Sequence, residues 1–332
     1  MESATHRPVR RGVLIFPQEA GSYWLRLLRE SGLNLLGIHP PGGVGAHDTL
    51  EQLLKQLKTV EFQRFAHQVA EMGVDLEYEF HAMSWLVPRE AFARHPQWFR
   101  MDERGERVND FNICPSCQEA LELLEERSAL LARRLPCMTT DRYYFWVDDV
   151  AGKLCHCPAC RELSPSDQVM LLYNHILRGI RRVNPRAAQC YLAYADCIAP
   201  PRKVLPDPGI FLEYAPIGRD SALPITASGS EKNREQLSHL DGLLQFFGTR
   251  GAQVLEYWMD NSRFWNWKPP YGKLPFYPSV IDADVAFYLE KGFGSLTSFG
   301  CGLGEDYADR FSDPPVAAYG KLLEGRQQAL SD

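Results

Sequence analysis

No apolar run in this 332-residue chain approaches the roughly 18 residues that a membrane-crossing helix requires. Near the N-terminus there is only the five-residue stretch "GVLIF" at 12–16, cut off by Pro17, which is too short for the apolar region of a secretory leader. A soluble, cytoplasmic protein without a membrane partner is therefore expected. A Lys/Arg-rich run is equally missing, and a formal net charge of -6 offers phosphate backbones no general attraction, which sets nucleic acid aside. No Gly-rich phosphate turn follows the first strand-like run, where "FPQEAGSYW" stands, and this argues against a doubly wound nucleotide-binding sheet. Nor does an internal repeat, a low-complexity segment or a linker-like shift in composition divide the chain. It is read as one domain over 1–332, with 1–11 as an N-terminal extension.

What is present is a core-forming composition, 45% hydrophobic, arranged as β-rich runs alternating with amphipathic helical segments. The strand candidates are 12–16, 33–40, 74–82, 143–149, 188–196, 209–215, 252–260 and 294–300. Ser164 or Ser166 can cap a helix that ends before Pro185, and Ser22 and Gly32 bracket another. Eight such units in this length predict an α/β fold, a single (β/α)8 TIM barrel, with extended βα loops after strands 3, 4 and 7.

In a barrel, chemistry belongs to the C-terminal ends of the strands. These ends carry His39, Glu79 and His81, Asp148 and Asp149, Tyr194, Glu213, and then Tyr257, Trp258 and Asp260 beside Glu256. Aromatic faces pack on the C–H faces of sugar rings while carboxylates and histidines bind hydroxyls, so the mixture suits a carbohydrate. No Arg/Lys cluster is available to clamp phosphate. Glycoside cleavage needs two carboxyls, and Asp149 or Asp148 on strand 4 with Glu256 on strand 7 can form the pair. A separation of about 5 Å gives retention and about 6.5–9.5 Å gives inversion. Adjacent acids also permit a substrate-assisted scheme, in which one orients a 2-acetamido group and its neighbour acts as acid/base.

Nine cysteines in a reducing compartment read as metal ligands and buried thiols rather than disulfides. Cys155, Cys157 and Cys160 supply three soft ligands, and "NICPSC" supplies a fourth, most simply Cys114, with Cys117 in reserve. Four thiolates favour tetrahedral, structural zinc. His156, between the ligands, is expected to face solvent.

The acid pair followed by C-x-C-x-x-C, with an upstream Cys, resembles the zinc site of the family 42 β-galactosidases. That resemblance implies Asp149 as acid/base, Glu256 as nucleophile and Cys114, Cys155, Cys157 and Cys160 as ligands, although Asp148-Asp149 stands where that family has Asn-Glu. "FWVDDV" is similar to the strand-4 Asp-Asp of family 84 N-acetylglucosaminidases. A wider likeness spans most of 12–300. Here "EFHAMSWLVPREAFARHPQWFRMDERGER", "NICPSCQEALELL" and "CHCPACRELSPSDQVMLLYNHI" resemble bacterial barrel domains related to family 163 endo-N-acetylglucosaminidases.

The expected function is hydrolysis of a glycosidic bond in an oligosaccharide or glycoconjugate, with retention, by Asp149 assisted by Asp148 and by Glu256. Glu79, His81, His39, Tyr194, Glu213, Tyr257, Trp258 and Asp260 are expected to contact the sugar. The alternatives are a non-catalytic carbohydrate-binding barrel and a metal-dependent sugar-acid lyase or isomerase. No sequence feature marks an interface, and a homo-oligomer stays open.

Overall fold

The computed structural model describes residues 9–329. Eight strands form a closed parallel barrel: β1 (Arg10–Ile15), β2 (Leu35–Ile38), β3 (Asp75–His81), β4 (Arg142–Trp146), β5 (Ala188–Ala193), β6 (Ile210–Tyr214), β7 (Gln253–Glu256) and β8 (Ser295–Phe299). The ring closes where β1 pairs β8, with Gly12 opposite Thr297. Six of the eight strand-like runs in the sequence contain one of these strands whole, and the runs 12–16 and 143–149 overlap β1 and β4, which begin two residues and one residue earlier. Because β1 starts at Arg10, the last two residues of the expected extension belong to the barrel, and 1–8 lie outside the described residues.

Both faces of every strand are covered, so alternation sorts residues between two buried environments rather than between core and water. On β4, Tyr143 and Phe145 join the layer beneath the helices, while Tyr144 and Trp146 fill the barrel. Much of the barrel interior is polar and hydrogen-bonded. Arg10 donates to Glu77 Oε1 (2.7 Å), the Tyr144 hydroxyl to Glu77 Oε2 (2.9 Å), Gln253 Nε2 to Glu213 Oε1 (2.8 Å) and Trp146 Nε1 to Glu213 Oε2 (2.9 Å).

Helices wrap the barrel with their stops and starts where the sequence marks them. Ser164 caps helix Pro165–Arg181 in a capping box with Asp167, and Gly32 ends helix Ser22–Ser31 in the left-handed region. The C-terminal helix Val316–Ala329 packs near the seam, where the Tyr319 hydroxyl donates to the Gly12 carbonyl (3.0 Å). Long excursions follow β3 (82–117), β4 (147–164) and β7 (257–277), as expected, and another follows β6 (215–230). Among the described residues, no helix is long and apolar enough to cross a membrane.

Candidate active site and thiol cluster

A cavity of about 480 Å³ opens at the C-terminal ends of the strands. Its walls are rich in aromatic side chains, Phe16, Trp146, Tyr194, Tyr257, Trp267, Tyr271 and Phe299. Two carboxylates line it, Asp149 and Asp260, together with His39 and His81 and without a Lys or Arg. The volume falls within the range of small-molecule sites.

Asp149 follows β4 at the mouth, its side chain 32% exposed. The Tyr194 hydroxyl donates to its Oδ1 (2.8 Å) and His81 Nε2 lies 3.9 Å from Oδ2. His81 donates from Nδ1 to the Val147 carbonyl (2.6 Å), and His39 from Nδ1 to the Glu79 carbonyl (2.9 Å), which leaves each Nε2 on the unclaimed side of its ring. Burial, reinforced by the neighbouring His81, lowers His39 to about 4, so it is a neutral ring. Gly42 backs this corner. A Cβ there would fall 2.6 Å from His81 Cδ2 and 3.1 Å from Asp149 Oδ2, so a side chain at 42 would displace both.

Asp260 lies after β7 and is 3% exposed. It accepts from the Ser262 hydroxyl (2.6 Å) and the Arg263 amide (3.0 Å). Burial raises it to about 6, against the pull of these donors. Tyr257 lines the wall between strand and loop, its ring 5.3 Å from Phe299 and 5.2 Å from the Arg263 guanidinium.

Several residues expected at the rim are placed elsewhere. Asp148 turns away from Asp149: it accepts from Arg89 (2.8 Å) and the Ser84 amide (3.1 Å), and burial raises its pKa despite Arg89. Glu256 points out of the barrel because β7 directs Gln253 and Leu255 inward. There it accepts from Arg219 and from the Tyr288 hydroxyl (2.7 Å), and Arg219 also meets Asp284 (2.7 Å). Trp258 faces the same side and donates to Asp284 (3.0 Å). The structure therefore does not bring Glu256 to Asp149, and Trp258 is not among the residues lining the cavity.

Glu79 and Glu213 face inward, as their strand positions require, but one layer beneath the cavity, with no exposed surface. Neither oxygen of Glu79 has a hydrogen-bond partner. Burial and the facing Glu213 raise Glu79 well above its usual range, and burial raises Glu213 to about 7. Among the lining residues that sequence reading missed are Phe16, Trp146, Leu192, Ile217, Leu255, Tyr271 and the Gly42–Gly43 corner. The apolar ones carry no signal separating them from core. Tyr271, inside "PPYG", was readable only as part of an aromatic-rich loop.

Cys114, Cys155, Cys157 and Cys160 gather in one buried cluster, their sulfurs within 4.8 Å of one another. Cys114 Sγ is 3.7 Å from Cys157 Sγ and 3.8 Å from Cys160 Sγ. A tetrahedral ion with sulfur ligands at about 2.3 Å has edges of about 3.8 Å, so the four could hold a metal ion. Cys117 stands outside the cluster as the residue before helix Gln118–Ala132, and His156 is exposed. The Met101 amide donates to Cys155 Sγ (3.3 Å), and Gln168 clasps the backbone of Cys155 through its N–H (3.0 Å) and carbonyl (3.0 Å). Asn112, close to Cys114, accepts from the Asp148 amide (3.0 Å) and donates to the Lys153 carbonyl (3.1 Å). The thiol knuckle and the loop carrying Asp149 are thus tied together.

A family model described as "Domain of unknown function (DUF4838)" matches residues 52–298. No curated protein matches the chain. The fold is similar to that of β-galactosidase from the psychrophilic Marinomonas ef1, at 14% identity and TM-score 0.56 over 97% of this chain and 60% of that one. It is also similar to an O-GlcNAc hydrolase mutant of Thermobaculum terrenum, at 12% identity and TM-score 0.52 over 96% of this chain and 60% of that one. For the GH36 α-galactosidase of Geobacillus stearothermophilus the values are 12% and 0.51, over 98% of this chain and 42% of that one. The chain thus spans 60% of the β-galactosidase's length, and the likeness is one of fold.

Proposed function

We propose, for a chain that belongs to the family described as a domain of unknown function (DUF4838), that the cavity above its barrel cleaves a glycosidic bond. The observation that carries this reading is the convergence of Asp149 and Asp260, from the loops after β4 and β7, in an aromatic cavity without a cationic side chain. A neutral sugar fits such walls, and its cleavage develops positive charge at the anomeric carbon, which a carboxylate stabilises.

Asp149 is the acid/base. It stands at the mouth with one oxygen held by Tyr194 and the other open beside His81, where it can pass a proton to a leaving oxygen and recover one from water. Asp260 takes the role expected of Glu256. Two donors converge on it, the Ser262 hydroxyl and the Arg263 amide, and such a pair orders the anion. Asp260 therefore faces the developing cation as a carboxylate, with retention as the proposed outcome. His39, His81, Tyr194 and Tyr257 hold hydroxyls around it.

Zinc is the ion we assign to the four thiols. Bound there, it would be closed off from substrate by its own ligands, fixing the loop that ends at Asp149 without entering the chemistry. Among the described residues no other group of three or more ligating side chains converges, which weighs against the lyase or isomerase alternative.

The test is release of nitrophenol from a panel of nitrophenyl galactosides, glucosides and N-acetylglucosaminides by wild type and Asp149→Asn. Turnover of one sugar, lost by about 10²–10⁴-fold in the variant, is expected. Turnover that survives Asp149→Asn would remove Asp149 from the mechanism, and binding without turnover by wild type would make the barrel a carbohydrate-binding protein.

A further inference from the structure

Trp267 is 57% exposed and lines the cavity at the same time. An indole left in water at the lip of an otherwise buried aromatic site runs against its burial preference. The backbone beneath it is also in an uncommon state: Asn266 and Trp267 both adopt a φ of 53, in the left-handed region that side chains other than glycine avoid. The loop around it holds this shape firmly. The Trp267 amide donates to the Ser262 carbonyl (2.7 Å), the Asn266 amide to the Arg263 carbonyl (3.0 Å) and Asn261 Nδ2 to the Gly272 carbonyl (3.0 Å). Trp265 closes down on Gly272, where a Cβ would lie 2.0 Å from the indole, so the neighbouring tryptophan locks the loop and leaves Trp267 outside. Strain maintained by the surrounding structure at a site's edge points to use of what it displays.

We infer that Trp267 is the platform of a second sugar subsite, stacking on the pyranose next to the one held between Asp149 and Asp260. The inference rests on the glycosidase reading and extends it. The substrate is then a chain of at least two rings, one over the two acids and one on Trp267, whose indole reaches into solvent from the cavity's edge. The absence of Lys and Arg from the cavity wall makes the second ring neutral as well.

A glycosyl fluoride fills only the subsite of the ring being cleaved, whereas an oligosaccharide of the same sugar fills both. The experiment compares kcat/KM for the two substrates, in the β-N-acetylglucosaminyl and β-galactosyl series, using wild type, Trp267→Ala and Trp267→Phe. The expected result is a loss of at least about tenfold on the trisaccharide with Trp267→Ala, partial recovery with Trp267→Phe, and a loss on the fluoride at least several-fold smaller. Equal losses on both substrates, or none on either, would overturn the subsite. If wild type turns over neither series nor a β-glucosyl fluoride, the glycosidase reading fails by itself, and titration calorimetry with the intact trisaccharides decides the platform. Weaker binding by Trp267→Ala upholds it, and equal or absent binding removes it.

Discussion

Glu256 and Asp260 are acids at one end of β7, and their surroundings assign them opposite tasks. Glu256 is sealed beneath the helices against Arg219, which it shares with Asp284, so its charge serves to keep a buried guanidinium neutralised. Removing one partner of such a cluster costs about 3–5 kcal/mol, and Glu256→Gln should sit near the lower end because Asp284 remains. That variant is expected to melt several degrees lower while keeping kcat/KM within a few-fold of wild type. A variant of normal stability that has lost turnover would return Glu256 to the chemistry. Burial raises Asp260 to about 6, and the proposed mechanism uses it as the anion, so kcat/KM should fall as pH drops through 6. Asp260→Asn should lose this acidic limb along with about 10²–10³-fold in rate.

At the scale of elements, the thiol knuckle and the β4 loop form one unit, since Asn112 bridges Asp148 to Lys153 and Gln168 clasps Cys155. Cys160→Ser should lower zinc content, read by plasma mass spectrometry, from about one per chain to near none, and drop the melting temperature by about 5 °C or more. Brief EDTA should leave wild-type turnover intact, and rapid inactivation would mean that the ion takes part in the reaction. The unit was readable beforehand because C-x-C-x-x-C is a pattern of spacing that survives without knowledge of the fold. The strands were readable for a similar reason, each being a short β-rich run between helix signals. Which side each residue faces was not. In "AQVLEYWMD" nearly every position is buried, inward or outward, so alternation separates two interiors rather than core from water. Glu256 and Trp258 therefore looked as available to the rim as Leu255 and Tyr257, and only the register of β7 against β8 decides between them.

For the molecule as a whole, the charge buried in the barrel couples stability to pH. Glu79 and Glu213 hold protons in the folded state that an unfolded chain releases near pH 4.5. Their contribution is therefore full at low pH and is lost as pH rises through Glu213's value of about 7. Glu79→Gln puts an amide beside Glu213 in place of a second acid, and its melting temperature should change less between pH 5 and 8 than that of wild type. An equal or steeper pH dependence in differential scanning fluorimetry would show that the two carboxyls do not interact. The seam of the barrel bears on how the molecule is made. On the ribosome, β1 emerges first yet keeps one edge open until β8, nearly the whole chain later, arrives to pair with it, and the Gly12 carbonyl waits longer still for Tyr319. A nascent chain halted anywhere before that point carries an unzipped edge, so the cell's chaperones meet this barrel as a near-complete domain rather than as a succession of finished parts.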